Sequence, residues 1–250
     1  MSFPERLSKH IPIMGDAGIE RIRNMRLTIA GVSGNGSPLA LMAALVGVTR
    51  IVLVDPDRLE ESNRNRFLFG GRWDVGKFKV DVAKEHLDRI DAEMECIALP
   101  TDVRSRPGKS ALRDCDVVAS AVDANEAREF LQEQCSALGK PLLDLGSGAV
   151  LQEGQLRMLG SRASLYIPGG ACLYHQTLDA SVPALSPVSF VTTNVIAAAV
   201  GLELLLAWLT GYGEPANFAL YDSLNHSLTS MTIAGSEDCR YCRDSQQHAG

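Results

Sequence analysis

The glycine-rich run Gly31-Val-Ser-Gly-Asn-Gly-Ser37 constrains the fold of this chain more than any other stretch. Before it lies the apolar strand Met25-Arg-Leu-Thr-Ile-Ala30, and after it Ser37 to Gly47 reads as a small-residue helix packing through Leu39, Leu41, Met42 and Leu45. A second apolar strand, Ile51 to Val54, ends in Asp55. Strand, glycine turn, helix and strand open a doubly wound α/β sheet, and an acid about 20 residues beyond the loop is where such folds receive ribose hydroxyls. Gly31 is expected to make the tight turn, and Gly34 and Gly36 to let the backbone approach a phosphate at the helix N-terminus. Ser33 stands where the dinucleotide pattern has its second glycine, so the loop alone also fits a plain strand-to-helix connection.

The residues that follow add cations. Asp55-x-Asp57-x5-Asn63-x-x-Arg66 is succeeded by Asp74-x-Gly76-x-x-Lys79. A hydride-transfer domain has no need of an Arg and a Lys just after its second strand, whereas two cations there suit a triphosphate whose pyrophosphate is leaving. This arrangement resembles the ATP site of the ThiF/MoeB/HesA-type, E1-like superfamily, which adenylates the C-termini of ubiquitin-like proteins. The resemblance implies ATP and Mg²⁺ as the nucleotide and its ion, Asp55 on the ribose, Arg66 and Lys79 on the phosphates, Asp57 in the same pocket, and Asn63 fixing the loop or touching a phosphate.

Two further segments extend the likeness. Arg6-Leu-Ser-Lys-His10, with Gly15 and Gly18, is similar to the family opening whose second Arg enters the partner subunit's ATP site; Lys9 holds that position here. Lysine keeps the charge and loses the planar fork. After a third strand, Asp116 to Ala121, comes Val122-Asp123-Ala-Asn125, similar to the family's Asp-Asn element, so the resemblance gives Asp123 the role of holding Mg²⁺. The competing expectation is that Asp123 or Asn125 caps the helix Glu126 to Leu138.

Length and composition fit one domain over residues 1–250. A chain of 250 residues, 46% apolar and 22% charged, buries a full core. A net charge of −6 speaks against a general nucleic-acid surface. No cationic and apolar leader opens the sequence, which points to the cytoplasm. The longest apolar segment, Val195 to Leu209, reads as too short for a bilayer and carries Glu203, so no membrane association is expected. It is better explained as a buried or dimer-facing helix from about Thr193 to Thr210. The parallel sheet is expected to run to about Gly148, followed by a strand pair within Gln152 to Tyr166 and a closing hairpin, Asn217 to Tyr221 with Ser227 to Ile233.

Of six cysteines, Cys239-Arg-Tyr-Cys242 forms a CxxC, and Cys172-Leu-Tyr-His175 falls where the family has its other CxxC. Two such short-spaced pairs suggest a closed Cys₃His zinc site of structural role, with His226 and His248 as alternatives to His175. A disulfide or free thiols are the competing readings. The family's thioester-forming members carry a cysteine in the stretch here spanning Gln176 to Asn194, and this stretch has none. Cys96, Cys115 and Cys135 are expected to be buried.

These residues lead to one expectation: adenylation of a carboxylate, at the C-terminus of a small ubiquitin-like or sulfur-carrier protein or of a peptide, by a homodimer that makes acyl-AMP and stops short of a thioester. The alternatives are an NAD(P)-binding oxidoreductase, a tRNA-modifying dehydratase of the same superfamily, and a weakly active scaffold subunit of an E1-like heterodimer.

Overall fold

The computed structural model describes residues 4–176 and 189–242. After α1 (Ile11–Asn24), strand and helix alternate: β1 (Arg26–Ala30), α2 (Gly36–Val46), β2 (Arg50–Val54), α3 (Lys79–Leu87), β3 (Glu95–Leu99), α4 (Arg106–Asp114), β4 (Val117–Ser120) and α5 (Asn125–Leu138). Two long strands follow, β5 (Leu142–Gln152) and β6 (Gln155–Tyr166), then α6 (Leu173–Gln176), α7 (Val191–Thr210), β7 (Phe218–Asp222) and β8 (Ser227–Met231). One sheet in the order β3-β2-β1-β4-β5-β6-β7-β8 takes all of them. Its strands run parallel as far as β5 and antiparallel beyond it. The expected α/β class is therefore the one observed.

The order reverses between β1 and β4, and at such a switch point an α/β sheet opens a crevice at the carboxyl ends of its strands. Gly31, Asp55 and Asp123 each follow the last residues of β1, β2 and β4, so all three lie along that edge. β4 is buried at every position and β1 at all but Arg26, as expected of strands covered on both faces. One core, built around Ile29, Leu39, Leu53, Val80, Leu143 and Leu205, lies on the side of α2, α3 and α7. The other, around Val54, Leu112, Leu131, Tyr166 and Cys172, lies beneath α4, α5 and the C-terminal tail.

Two expectations are corrected. The strand pair placed within Gln152 to Tyr166 is instead β6 alone, and its partner is β5, which continues the parallel strand past Gly146 and Gly148 into the hairpin. The turn sits at Glu153 and Gly154, both at positive φ (53° and 75°), the signature of a tight two-residue hairpin loop. The apolar helix is also longer than its apolar segment suggested: at 20 residues α7 has the length and hydropathy of a membrane span. It packs on β5, β6 and α2, however, and buries the polar Thr193 and Asn194 in the fold.

The N-terminal segment is clamped to the sheet through Asp91. Its carboxylate is 6% exposed, pairs with Arg6, and lies 3.1 Å from Arg23. Burial raises its pKa, but the Glu93 amide and the two guanidiniums outweigh burial and hold it at about 2. A carboxylate whose folded pKa is depressed stabilises above its unfolded value, about 3.9, and loses that contribution as pH falls toward 2. Asp91→Asn is therefore expected to melt below wild type at pH 7, with the gap closing between about pH 4 and pH 2. Thermal melts across that range check it; a gap independent of pH would show that the ion pairs are not its source.

Candidate active site and metal centre

The glycine loop is shaped first by its own packing. Gly31 has φ +84°, and a Cβ there would lie 2.7 Å from the Ala121 carbonyl oxygen. Gly36 is tighter still, at 1.9 Å from the Gly31 carbonyl oxygen, and Gly34 would meet Asn194 Nδ2 at 2.9 Å. Packing of the loop against itself and against α7 is thus a sufficient reason for these glycines, a different one from the phosphate approach the sequence suggested. The Asn35 side chain, at the N-cap of α2, turns away from the helix: its Oδ1 accepts from Ser147 Oγ and Asn194 Nδ2, both at 2.9 Å. No side chain caps α2; of its first three residues Pro38 has no amide hydrogen and the Ser37 amide donates to the Ser33 carbonyl at 2.9 Å, which leaves the Gly36 amide without a partner among the described residues.

Asp55 is 5% exposed, and each of its oxygens accepts a backbone amide, Oδ2 from Val32 at 2.7 Å and Oδ1 from Asp57 at 2.8 Å. Burial pushes its pKa up, against the pull of those two amides and of Lys79. Its first job is therefore to tie the glycine loop to the end of β2. A carboxylate oxygen has a second lone pair, so a ribose hydroxyl remains compatible with this arrangement. Asp57 is more open: its side chain is 64% exposed and receives Lys79 Nζ at 2.8 Å. Lys79, at the start of α3, is only 5% exposed along its side chain, and its amide donates to the Asp57 carbonyl at 3.0 Å. The ammonium is held at the pocket by its own backbone anchor.

Asn63 is nearly buried in a single 3₁₀ turn, where its Oδ1 accepts the Glu60 amide at 3.3 Å, so it fixes the loop. Arg66 donates to the Ser62 carbonyl at 2.9 Å and to Asn65 Oδ1 at 3.1 Å. It pairs with no carboxylate among the described residues. Asp123 is exposed at the end of β4 and caps nothing: the N-cap of α5 is Ala124, without a side-chain bond. The capping role weighed for Asp123 and Asn125 is absent, and the Asp123 carboxylate, on the carboxyl edge and with no partner among the described residues, suits a divalent cation. Lys9 is exposed ahead of α1 and has no recorded contact with these residues.

A buried group linked to Asp123 left no motif in the sequence. Asp144, fully buried on β5, accepts from Ser120 Oγ (2.6 Å), Arg128 Nε (3.2 Å) and Arg162 Nη1 (2.8 Å). Arg128 in turn donates to the Asp123 carbonyl at 3.1 Å, linking the cluster to the edge. Its members lie on α5, β4, β5 and β6, so strand register together with the docking of α5 brings them together.

The metal expectation finds its residues assembled. The ligand atoms of Cys172, His175, Cys239 and Cys242 lie within 4.8 Å of one another. Zinc bonds of about 2.3 Å to sulfur and 2.0–2.1 Å to nitrogen give a ZnS₃N tetrahedron edges of about 3.8 Å between sulfurs and about 3.6 Å between nitrogen and sulfur. Cys172 and Cys239 sulfurs stand 3.7 Å apart, and His175 Nδ1 is 3.4 Å from Cys172 Sγ and 3.5 Å from Cys242 Sγ. The donor set fits the ion, and His175 is the histidine that joins it. His226 sits in the exposed turn between β7 and β8, and His248 falls outside the described residues. Tyr174 stacks on Tyr241 with centroids 5.0 Å apart, and Tyr241 donates to Glu133 at 2.8 Å, so the tail is also held to α5.

The chain is similar to known proteins over most of its length. The chain is 28% identical over 243 residues to the sulfur carrier protein adenylyltransferase of Thermus thermophilus, covering 94% of this chain and 88% of that protein. It is 32% identical over 193 residues to the adenylyltransferase and sulfurtransferase uba4 of Aspergillus clavatus, where the match takes in 76% of this chain but only 39% of the relative. Among solved structures, E. coli MccB with ATP superposes with a TM-score of 0.79 at 21% identity, covering 96% of this chain and 75% of that one. MccB with MccA-N7isoASN gives 0.82 at 20%, again over 96% and 75%. At that identity these two speak for the fold. The model of the ThiF family matches residues 6–242, nearly the whole chain, and the protein belongs to that family.

Proposed function

We propose that residues 1–250 form a single adenylation domain that transfers AMP from ATP to a carboxylate, at the C-terminus of a small ubiquitin-like or sulfur-carrier protein or of a peptide. The observation that carries this reading is the carboxyl edge of the sheet. Lys79 stands there paired with Asp57, the Ser37 hydroxyl of α2 accepts the Leu68 amide at 3.2 Å beside Arg66, and Asp123, a carboxylate with no partner among the described residues, follows β4. The adenylyltransferase names of the relatives support it. In the reaction a carboxylate oxygen attacks the α-phosphorus, the bond from that phosphorus to the bridging oxygen breaks, and pyrophosphate leaves with the charge that Arg66 and Lys79 offset. Asp55 holds the loop and receives the ribose, and Asp123 would hold Mg²⁺, which when bound neutralises phosphate charge. Positioning and charge suffice, because the carboxylate is already the nucleophile at neutral pH. Lys9 is assigned to the neighbouring site of a cytoplasmic homodimer, and Cys172, His175, Cys239 and Cys242 to a structural Zn²⁺.

The reading stops at acyl-AMP. Cys96, Cys115 and Cys135 are buried, and burial pushes the Cys96 thiol up to about 12 and the other two upward as well, which is the opposite of a reactive thiolate. Calorimetric titration with Mg-ATP and with NAD⁺ tests the nucleotide, and incubation with ATP and a cognate substrate on a non-reducing gel tests the thiol. Mg-ATP binding without NAD⁺ binding, and no thiol-labile adduct, are expected. Tight NAD⁺ binding alone would remove the adenylation reading, and an adduct would restore a thioester step.

A further inference from the structure

The cluster around Asp144 contains one carboxylate and two guanidiniums. Arg128 is committed on every side: Nε to Asp144 at 3.2 Å, Nη1 to the Asp123 carbonyl at 3.1 Å and to Asn125 at 3.3 Å, and Nη2 3.5 Å from the Leu145 carbonyl. Arg162 is different. Only its Nη1 has a partner, Asp144 at 2.8 Å; its Nε and Nη2 donate to no group among the described residues. One carboxylate balances one cation, so the second guanidinium, 22% exposed along its side chain, stands beside the first without an anion of its own. Burial lowers the Arg162 pKa, and Arg128 adds to that lowering against the pull of Asp144.

The unused edge is a specific one. Nε and Nη2 point the same way and match the two oxygens of a carboxylate. Elsewhere in this molecule the same edge does that: Arg26 grips Asp116 through Nε at 3.1 Å and Nη2 at 2.7 Å, and Arg104 grips Asp102 at 2.9 Å and 2.6 Å. The backbone beneath Arg162 makes room for the fork. Gly146 is its register partner on β5, and a Cβ there would lie 2.8 Å from Nε and 3.0 Å from Cζ. On the other side its register partner on β7 is Leu220, 46% exposed, with Thr229 of β8 next across the sheet.

We infer that Arg162 is a specificity-determining residue, gripping the carboxylate of the acyl substrate through its Nε and Nη2 edge. The inference rests on the adenylation reading, which places the nucleotide along β2, β1 and β4 and leaves the β5 and β6 side to the acyl partner. Arg162 reaches that boundary through Asp144 and Arg128, which is bonded to the Asp123 carbonyl. The guanidinium itself lies over Gly146, so an acyl partner would set its carboxylate against Nε and Nη2 of Arg162.

The test uses the peptide Ala-Ala-Gly-Gly as the free acid and as the C-terminal amide, with the full chain, Mg²⁺ and a non-hydrolysable ATP analogue, and binding followed by saturation-transfer NMR. Wild type is expected to prefer the acid over the amide roughly tenfold, the scale of one charge-assisted contact. Arg162→Gln and Gly146→Ala should each abolish that preference, and Arg162→Lys should retain part of it, with affinity for the ATP analogue unchanged in all three. Circular dichroism melts confirm that each variant is folded, and Gly146→Ala keeps the test open if Arg162→Gln is not. Equal binding of acid and amide to wild type, or a preference that survives in folded Arg162→Gln, overturns the inference. Weakened analogue binding in Arg162→Gln also overturns it, by assigning the residue to phosphate. Failure of wild type to bind the analogue, with the acid preference intact, would instead remove the adenylation reading and leave the carboxylate site standing.

Discussion

Lys79→Ala is expected to lower the rate of acyl-adenylate formation by roughly 10²–10³, the effect of removing one donor aimed at developing charge, and to weaken Mg-ATP binding by about tenfold or more. The geometry gives the reason. The Lys79 stem is buried and its ammonium is delivered to the pocket from the first residue of α3, where it pairs with the Asp57 carboxylate. Asp57 is 64% exposed, so losing the pair leaves a carboxylate that water can solvate, and the fold should lose little through that ion pair. Arg66→Ala should match Lys79→Ala in rate with still less effect on stability, since its recorded partners are a carbonyl and an amide oxygen on its own loop. Asp123→Asn should lose activity in a way that raised Mg²⁺ partly restores. ATP–pyrophosphate exchange and calorimetry measure these effects; a Lys79→Ala enzyme within about fivefold of wild type would take the lysine out of the phosphate site.

The parallel half of the fold was legible because each of its units is local. A strand, a glycine turn and a helix follow one another within the glycine-rich segment, and the apolar spacing that marks them depends on no distant partner. The glycines that carried this reading proved to have a packing purpose: Gly36 lies too close to the Gly31 carbonyl for any side chain, which a motif cannot reveal. Glycine also misled further on. Gly146 and Gly148 look like the end of the parallel strand, yet β5 runs through both, and Gly146 is flat against Arg162. The cluster of Asp144, Arg128 and Arg162 was invisible for the same reason. Asp144 and Arg162 are brought together by the pairing of Ser120 with Asp144 and of Gly146 with Arg162, Arg128 reaches them from α5, and neither register across strands nor helix docking leaves a spacing in the sequence. The metal ligands were legible because each pair is adjacent in sequence, and only the choice of histidine awaited the fold.

That ligand set makes the second large effect a loss of stability. Zinc held by Cys172, His175, Cys239 and Cys242 would close a loop between positions 67 residues apart. A cross-link over such a span removes chain entropy from the unfolded state worth about 4 kcal/mol, and a domain of this size changes its melting temperature by roughly 2–4 °C per kcal/mol. Cys239→Ser is thus expected to release the metal and lower the Tm by roughly 8–16 °C. Mg-ATP binding should be retained, because the cysteines lie with α5 and α6 on the far side of β4 from Asp55 and Lys79. His175→Ala should do the same to a lesser degree, and His226→Ala should do nothing, since His226 is in an exposed turn away from the cysteines. Metal analysis of the purified chain should give one zinc per molecule. Replacement by Co²⁺ should give the visible absorption of a tetrahedral site with three thiolates, lost in Cys239→Ser. A metal-free protein with an unaltered Tm would mean that the stacking of Tyr174 on Tyr241 and the bond to Glu133 hold the tail by themselves, and that the four side chains meet without an ion.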